Sequence, residues 1–514
     1  MLTAIVFLPL AVAVLLALLP ARLPARFLVW TWIVTAAADL ALVVATWLRF
    51  DPDGGRQFTE RASWIPQAGV SYHVAVDGLS LPLLAMTAVL FLAVAIRSLH
   101  ETRRVRAHVG IFLFLQSVCL GLFVAQDLIL FFLFFDLSIV GMYFLIAGWG
   151  HGPGARAAAL KFFLYTFTGS LALLLGFIGL YLAARPHTFD MVALAAADPL
   201  AGRGGYAGLV LLAIGLGLAI KTPTVPLHTW LPPAHTDAPA TGSAILAGVL
   251  LKMGTYGFVR IAMPLLPEAW RRYALVFVVV GVVSVLYGAL VALAQTNVKR
   301  MIAYTSVNHM GYVLLALGAA GTVAGDDLAA RELAVTGAVT QMVSHGLLTG
   351  ALFLLTGVFH DRRRDYTIAG YSGLAGPAPV FAGVTAVAVF GSLGLPGLSG
   401  FIAEFQIFTG SLSVRPVATA LAILGILITA ALLLRALQQI FLGPLRLPGA
   451  GPGGGGPAAG TDPAGGEGFR DLRPHELISV APLLVLAIVI GVAPRFLLDV
   501  VEPASRTLVG LVSR

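Results

Sequence analysis

The chain has 514 residues, 59% of them hydrophobic and only 11% charged, with a mean hydropathy of +0.93. This composition excludes a soluble globular enzyme, because apolar runs of about 20 residues, enough to span a bilayer, recur along almost the whole length. The net charge of +8 is no nucleic-acid signal, since the basic residues are scattered through short breaks between apolar runs, and the single Cys119 excludes an internal disulfide and any cysteine-based metal or iron–sulfur site.

In chain order, fourteen spanning segments are expected, roughly at 2–20, 27–48, 77–98, 107–125, 127–148, 158–183, 206–229, 238–264, 272–294, 299–320, 333–358, 377–408, 414–441 and 476–498. The fold class is therefore an all-α polytopic membrane protein. The first run lacks a basic leader and reads as a retained helix, not a cleaved signal. Residues 51–73 form a polar external stretch with the proline, glycine and aromatic content of a small hairpin. The segment 206–229 runs into Pro223 and Pro226, and 377–408 is too long for one straight helix and contains Gly394-Leu395-Pro396-Gly397. Both read as interrupted helices. Two breaks about five segments apart are a mark of internal repeats in transporters, with the ion site at the break.

The expected organisation follows. Residues 1–106 hold three helices and the external loop 49–76. A first five-helix repeat covers 107–264, and a second, inverted one covers 272–441. A linker at 442–475 contains the Gly/Pro/Ala tract 448–468, read as flexible and cytoplasmic. The last helix lies in 476–514. Breaks after odd-numbered segments carry Arg22, Arg26, Arg103, Arg104, Arg106, Arg156, Lys299, Arg300, Arg362, Arg363, Arg364, Arg446, Arg470 and Arg473. Those after even-numbered ones hold fewer basic residues and the acids Asp51, Asp53, Glu60, Asp190, Asp326, Asp327 and Glu332. The positive-inside rule puts the first set in the cytoplasm and both termini outside, with Arg271 and Arg272 against the pattern.

Only four of the 32 basic residues are lysine: Lys161, Lys221, Lys252 and Lys299. Arginine keeps its charge at any pH a protein meets, whereas a desolvated lysine can release a proton near neutrality. Among the ionisable residues within expected spans, seven stand out as candidates: Asp39, Asp136, Lys221, Lys252, His309, His345 and Glu404. Each charge at the bilayer centre costs at least ~2.5–3.5 kcal/mol, so a mixed set of acids and bases calls for a functional reason. Asp39 stands alone in AAADLALVV and is equally readable as a structural hydrogen-bonding group. Asp136 (FFLFFDLSIV) and Lys221 (GLAIKTPTVP) are the natural ion pair. At ~4 Å and an effective dielectric of ~20 such a pair gains roughly 4 kcal/mol, so it is either a switch set by the acid–base distance or a static buried bridge. His309 and His345 supply the proton acceptors that Lys252 needs. Glu404, after an interrupted segment that can admit water, suits the outward end of the path.

The densest motif, KTPTVPLHTWLPPAHTDAPATGS at 221–243, closely resembles a signature of the antiporter-like membrane subunits of respiratory complex I. Further matches are VDGLSLP (76–82), RAAALKFFLYTFTGS (156–170), KRMIAYTSVNHMGY (299–312) and SLGLPGLSGFIAEF (392–405). Within that family the chain looks like the M chain, because Glu404 stands where M chains carry an acid and their L and N relatives a lysine. The sequence also runs only a short way past its last apolar segment, without the long lateral helix of the L chain. The resemblance implies a proton-translocating subunit with no redox step of its own. NADH, FMN, iron–sulfur clusters and quinone would belong to partner subunits, which include neighbouring antiporter-like chains. It implies a bacterial inner membrane, a central channel lysine at Lys221, a connecting lysine at Lys252, and a path through His309 and His345 to Glu404. The family usually has glutamate at Asp136 and often proline at Gly141, so the Asp136–Lys221 pair is expected to be looser here. Rival readings are a subunit of a multi-chain Na⁺/H⁺ antiporter, a subunit of an energy-converting hydrogenase, or a structural membrane scaffold.

Overall fold

The computed structural model describes residues 1–20, 23–322, 327–448 and 468–513; the Gly/Pro/Ala tract expected as a linker lies almost wholly outside them. In chain order come α1 (Leu2–Leu18), α2 (Ala25–Leu48), β1 (Gln57–Ile65), β2 (Val70–Val76), α3 (Leu81–Arg97), α4 (Val105–Val124), α5 (Leu128–Trp149) and α6 (Ala155–Ala183). The short α7 (Met191–Ala197) precedes α8 (Gly204–Lys221), a second short helix α9 (Leu231–Asp237) and the long span α10 (Ala240–Leu265). Then follow α11 (Pro267–Leu293), α12 (Val298–Ala320), α13 (Leu328–Arg363), α14 (Pro379–Ser392), α15 (Ser399–Val414), α16 (Pro416–Phe441), α17 (Pro474–Val492) and α18 (Arg495–Ser513).

Eleven described helices are long and apolar enough to cross a membrane. The expected segments 2–20 and 299–320 fall on α1 and α12, and 377–408 is the broken pair α14–α15. The 51–73 stretch is the antiparallel β1–β2 hairpin. Spans α10 and α13 are buried along their length, while α2, α6, α11 and α16 turn apolar side chains outward. Leucine faces such as Leu48 and Leu427 are what lipid requires of a helix with all its backbone bonds made internally. Close helix approaches rest on glycine: a Cβ at Gly281 would stand 2.6 Å from the Leu315 backbone, and one at Gly311 2.7 Å from the Gly281 carbonyl, which locks α11 on α12.

Two expectations need correction. The chain beyond residue 476 is not one helix: α17 stops at Val492, and α18 is a separate amphipathic helix. It buries Leu497, Val500, Val501, Leu508, Val509 and Val512 on one face and exposes Glu502 and Arg506 on the other. Arg271 donates to the Val512 carbonyl (2.7 Å) and Arg331 to Ser513 Oγ (2.9 Å), so both hold this helix. Lys299 is not a loop residue either. It starts α12 fully buried, donating to the Ala238 carbonyl at the end of α9.

On the hairpin face, Asp77 of the VDGLSLP motif bonds Arg260 (2.6 Å), which also donates to Tyr256 Oη (2.8 Å). Asp190 takes His73 Nδ1 (2.8 Å) and Arg61 (3.1 Å), and Glu60 takes the N-terminal ammonium. On the opposite face Arg97 pairs with Asp361, and Arg362 grips Glu476 with both ends of its fork (2.9 and 2.6 Å).

Candidate proton-transfer site

The two interruptions place the site. Helix α8 ends at Lys221 because Pro223 and Pro226 cannot continue it, and the chain turns through Thr222–Trp230 into α9. Just past the lysine, α8 crosses α10 at small residues. A Cβ at Gly254 would stand 2.4 Å from Thr222 Oγ1, and one at Gly257 2.3 Å from Leu218 Cδ2. The crossing brings the helix of Lys221 against the helix of Lys252.

Lys252 follows a π-helical turn at Leu246–Leu250. Its ammonium folds back to the Ala247 carbonyl of that turn (2.6 Å) and reaches His345 Nδ1 on α13 (2.6 Å). That bond makes Nδ1 the acceptor and leaves the hydrogen of His345 on Nε2. The His345 and His309 rings lie 5.3 Å apart and nearly perpendicular. His309 Nε2 donates to the Ser392 carbonyl (3.1 Å) at the end of α14, which leaves Nδ1 as its acceptor. His309 Nε2 also lies 3.9 Å from Glu404 Oε1.

His345 Nε2 and His309 Nδ1 therefore form a donor and an acceptor, and both lack a hydrogen-bond partner among the described residues, as does the nearby Gln341 Oε1. All three side chains line one cavity with Ser344, Ser392 and Glu404. Its volume is ≈ 10 Å³, about the minimum that holds one water. Glu404 is 6% exposed and presses on the α14–α15 break, where Gly394 has φ +78° and a Cβ would meet Glu404 Oε2 at 2.5 Å. Only glycine combines that conformation with that contact.

The expected pair is absent. Among the described residues no carboxylate lies within 4.0 Å of any lysine ammonium. Lys221 instead donates to Ser138 Oγ (2.9 Å) and stands over the Phe135 ring, 4.7 Å from its centre. Asp136 is half-buried with Oδ1 unpartnered. Positions two apart on an α-helix point about 200° apart, so with Ser138 on Lys221 the aspartate stays outside direct contact with the ammonium. At Gly141 a Cβ would meet Leu115 Cδ2 at 2.6 Å, so α5 lies against α4 where a proline ring would not fit without a shift. Asp39 is apart from this site and accepts from Gln116 Nε2 on α4 (2.7 Å). It does have a polar companion, one the isolated sequence of α2 could not reveal.

Sequence reasoning missed Ser138, Gln341 and Ser344, which sit in apolar helix stretches as ordinary small or polar residues. It also passed over His235, fully buried, with both ring nitrogens unpartnered among the described residues and stacked on Phe353 (4.4 Å). The signal for His235 was its place in 221–243, one turn before the carbonyl that Lys299 reaches.

The sequence profile of the NADH:quinone oxidoreductase/Mrp antiporter transmembrane family matches residues 125–429. NADH-quinone oxidoreductase subunit M of Rickettsia prowazekii is 39% identical over 449 residues, covering 86% of this chain and 84% of the relative. NAD(P)H-quinone oxidoreductase chain 4 1 of Nostoc sp. is 39% identical over 512 residues, covering 96% and 88%. A chain of respiratory complex I from Thermus thermophilus with bound NADH superposes with a TM-score of 0.86 at 29% identity over 100% of both chains. A chain of the Mrp complex from Dietzia sp. gives 0.85 at 22% identity over 99% and 98%, a likeness of fold alone. The chain belongs to the transmembrane family shared by NADH:quinone oxidoreductases and Mrp antiporters, among the subunit M and chain 4 members of the oxidoreductases.

Proposed function

We propose that this chain is a proton-translocating membrane subunit of a complex I-type NADH:quinone oxidoreductase, and that Lys221, Lys252, His345, His309 and Glu404 carry the protons. The observation that carries this reading is the file Lys252–His345–His309–Glu404, whose donors and acceptors all face one way. Lys252 gives a proton to His345 Nδ1 while His345 releases the one on Nε2. His309 takes it on Nδ1, directly or through one water, and releases from Nε2 toward Glu404. Glu404 at the broken helix hands it to the outer face. Lys221 reloads Lys252 across the α8–α10 crossing, with Lys299 and His235 toward the inlet. Asp136 is the acid whose approach sets the charge of Lys221.

The protein sits in a bacterial inner membrane, with the Arg97–Asp361 face in the cytoplasm, the hairpin face outside and both termini outside. NADH oxidation and quinone reduction belong to partner subunits, and the chain holds no redox group. Moving one proton against 100 mV takes about 2.3 kcal/mol, which the making and breaking of one buried charge contact at roughly 4 kcal/mol can drive. The Na⁺/H⁺ antiporter reading shares the fold, but the relatives of higher identity are quinone oxidoreductase subunits.

The test uses inverted vesicles carrying the whole complex, with NADH-driven proton uptake and NADH:quinone turnover recorded in parallel and assembly checked on a native gel. Lys252→Ala is expected to assemble and to lose at least tenfold in uptake. Uptake above half of wild type in an assembled complex would sink the reading.

A further inference from the structure

Lys221 is a fully enclosed cation whose side-chain partner is a hydroxyl. Ser138 Oγ is itself held, donating to the Phe135 carbonyl (2.6 Å), so its lone pairs are turned toward Lys221 and it acts as an acceptor only. A neutral acceptor positions an ammonium but adds no net charge to hold the proton there. A carboxylate at the same place does both, and charge-assisted bonds between two ions are roughly twice as strong as neutral ones. Phe135 supports the same position from its ring face. Asp136 is one methylene shorter than glutamate and makes no direct ion pair with Lys221, and one of its oxygens is unpartnered among the described residues. Gly141 lets α5 lie against α4, which fixes the helix rotation that offers Ser138, and not Asp136, to α8.

We propose that Ser138 is the resting dock of Lys221 in this chain: a positioning residue that holds the ammonium in line while leaving its proton free to move, with Asp136 engaging only when the dock opens. This rests on the proton-transfer reading above and names the group that replaces the acid–lysine contact at rest. No bond between heavy atoms changes. The N–H···O contact to Ser138 breaks, and one N–H bond of the Lys221 ammonium gives its proton to the neutral amine of Lys252, or the ammonium keeps its proton beside the Asp136 carboxylate.

The experiment compares Ser138→Ala, Ser138→Cys and Ser138→Thr, and Ser138→Ala combined with Asp136→Glu, in inverted vesicles with the intact complex. Cysteine keeps the volume with a poor acceptor, so it reports on the dock even if alanine upsets packing. Proton uptake per NADH and its pH profile are read in each. Ser138→Ala and Ser138→Cys are expected to lower uptake about threefold to tenfold. The alkaline limb of the profile should move about one pH unit toward acid, because the ammonium loses a hydrogen bond of the charged kind. Ser138→Thr should behave as wild type. Adding Asp136→Glu to Ser138→Ala should restore at least half of the loss, because the longer acid can take over the lysine. An unchanged pH profile in assembled Ser138→Ala and Ser138→Cys overturns the dock, and so does a loss that Asp136→Glu does not repair. Lys221→Ala in the same vesicles separates the two levels. If it pumps normally, the proton-transfer reading itself fails, whereas silent Lys221→Ala beside normal Ser138 variants removes the dock alone.

Discussion

Arg260 and Lys221 are both buried cations on helices of the first half, yet their surroundings differ. Arg260 meets Asp77 at 2.6 Å and Tyr256 at 2.8 Å, while Lys221 meets a serine hydroxyl at 2.9 Å and a phenyl ring. Arg61, Arg97, Arg260, Arg362 and Arg506 pair with carboxylates, whereas the buried lysines contact hydroxyl, imidazole or carbonyl groups; Arg271 and Arg331, which hold the last helix through a carbonyl and a hydroxyl, depart from the contrast. A guanidinium that cannot lose its proton is suited to fixed ties at the ends of helices. An ammonium held by neutral partners can change charge without leaving a buried carboxylate stranded, which is the costly event in a low-dielectric interior. On the proposed reading, the molecule separates charges that hold the fold from charges that move.

That separation can be broken most severely at the tie. Arg260→Ala leaves Asp77 buried without its partner, a change expected to cost about 3–5 kcal/mol. It should reduce assembled complex on a native gel several-fold, while uptake per assembled complex stays near wild type; normal assembly with failed pumping would contradict the division. Lys221→Arg makes the complementary exchange. It keeps the positive charge and fixes it, so the complex should assemble and proton uptake should fall at least tenfold. Gly394→Ala is expected to act more mildly, by roughly threefold to fivefold on uptake, through strain at φ +78° and displacement of Glu404. Its assembly should match wild type, and uptake within error of wild type would remove Glu404's dependence on the turn.

The smallest effect concerns pH. Burial would raise the carboxyl of Asp77, but the Arg260 charge and hydrogen bond win and hold it below the ordinary carboxylate range. A group with a depressed folded value stabilises above its unfolded value, near ~3.9, and that contribution fades as pH falls through the folded one. Thermal stability of the purified complex should therefore be flat from pH 8 to about 5 on this account and drop only below about 4. In Asp77→Asn the drop below about 4 should be shallower. A wild-type loss already complete at pH 5 would show that other groups dominate.

Most of the helices, the hairpin, both interruptions and the identity of the lysine–histidine–glutamate set were legible in the sequence, because bilayer length, proline positions and isolated polar residues in apolar runs leave unmistakable patterns. Lys252, His345, His309 and Glu404 stand out for that reason. Ser138 and Gln341 do not, since a serine or glutamine in a helix is common and its meaning depends on what faces it. The second helix after Val492 was missed because a run of moderate hydropathy after Pro494 reads as a tail until its apolar face finds α13 to cover.

What the sequence determined by itself was the inventory: which helices form, where they break, and that Lys221 and Lys252 stand in apolar runs while most arginines fall in the breaks between them. Those follow from short-range rules of hydropathy and backbone chemistry. Pairing was decided by tertiary structure alone. Asp136 and Lys221 are a natural pair on paper, but α5, packed against α4 at glycines, brings Ser138 and not the aspartate into contact with the lysine. A rotation of a buried helix is fixed by packing against every neighbour at once, and no local pattern in one segment encodes it.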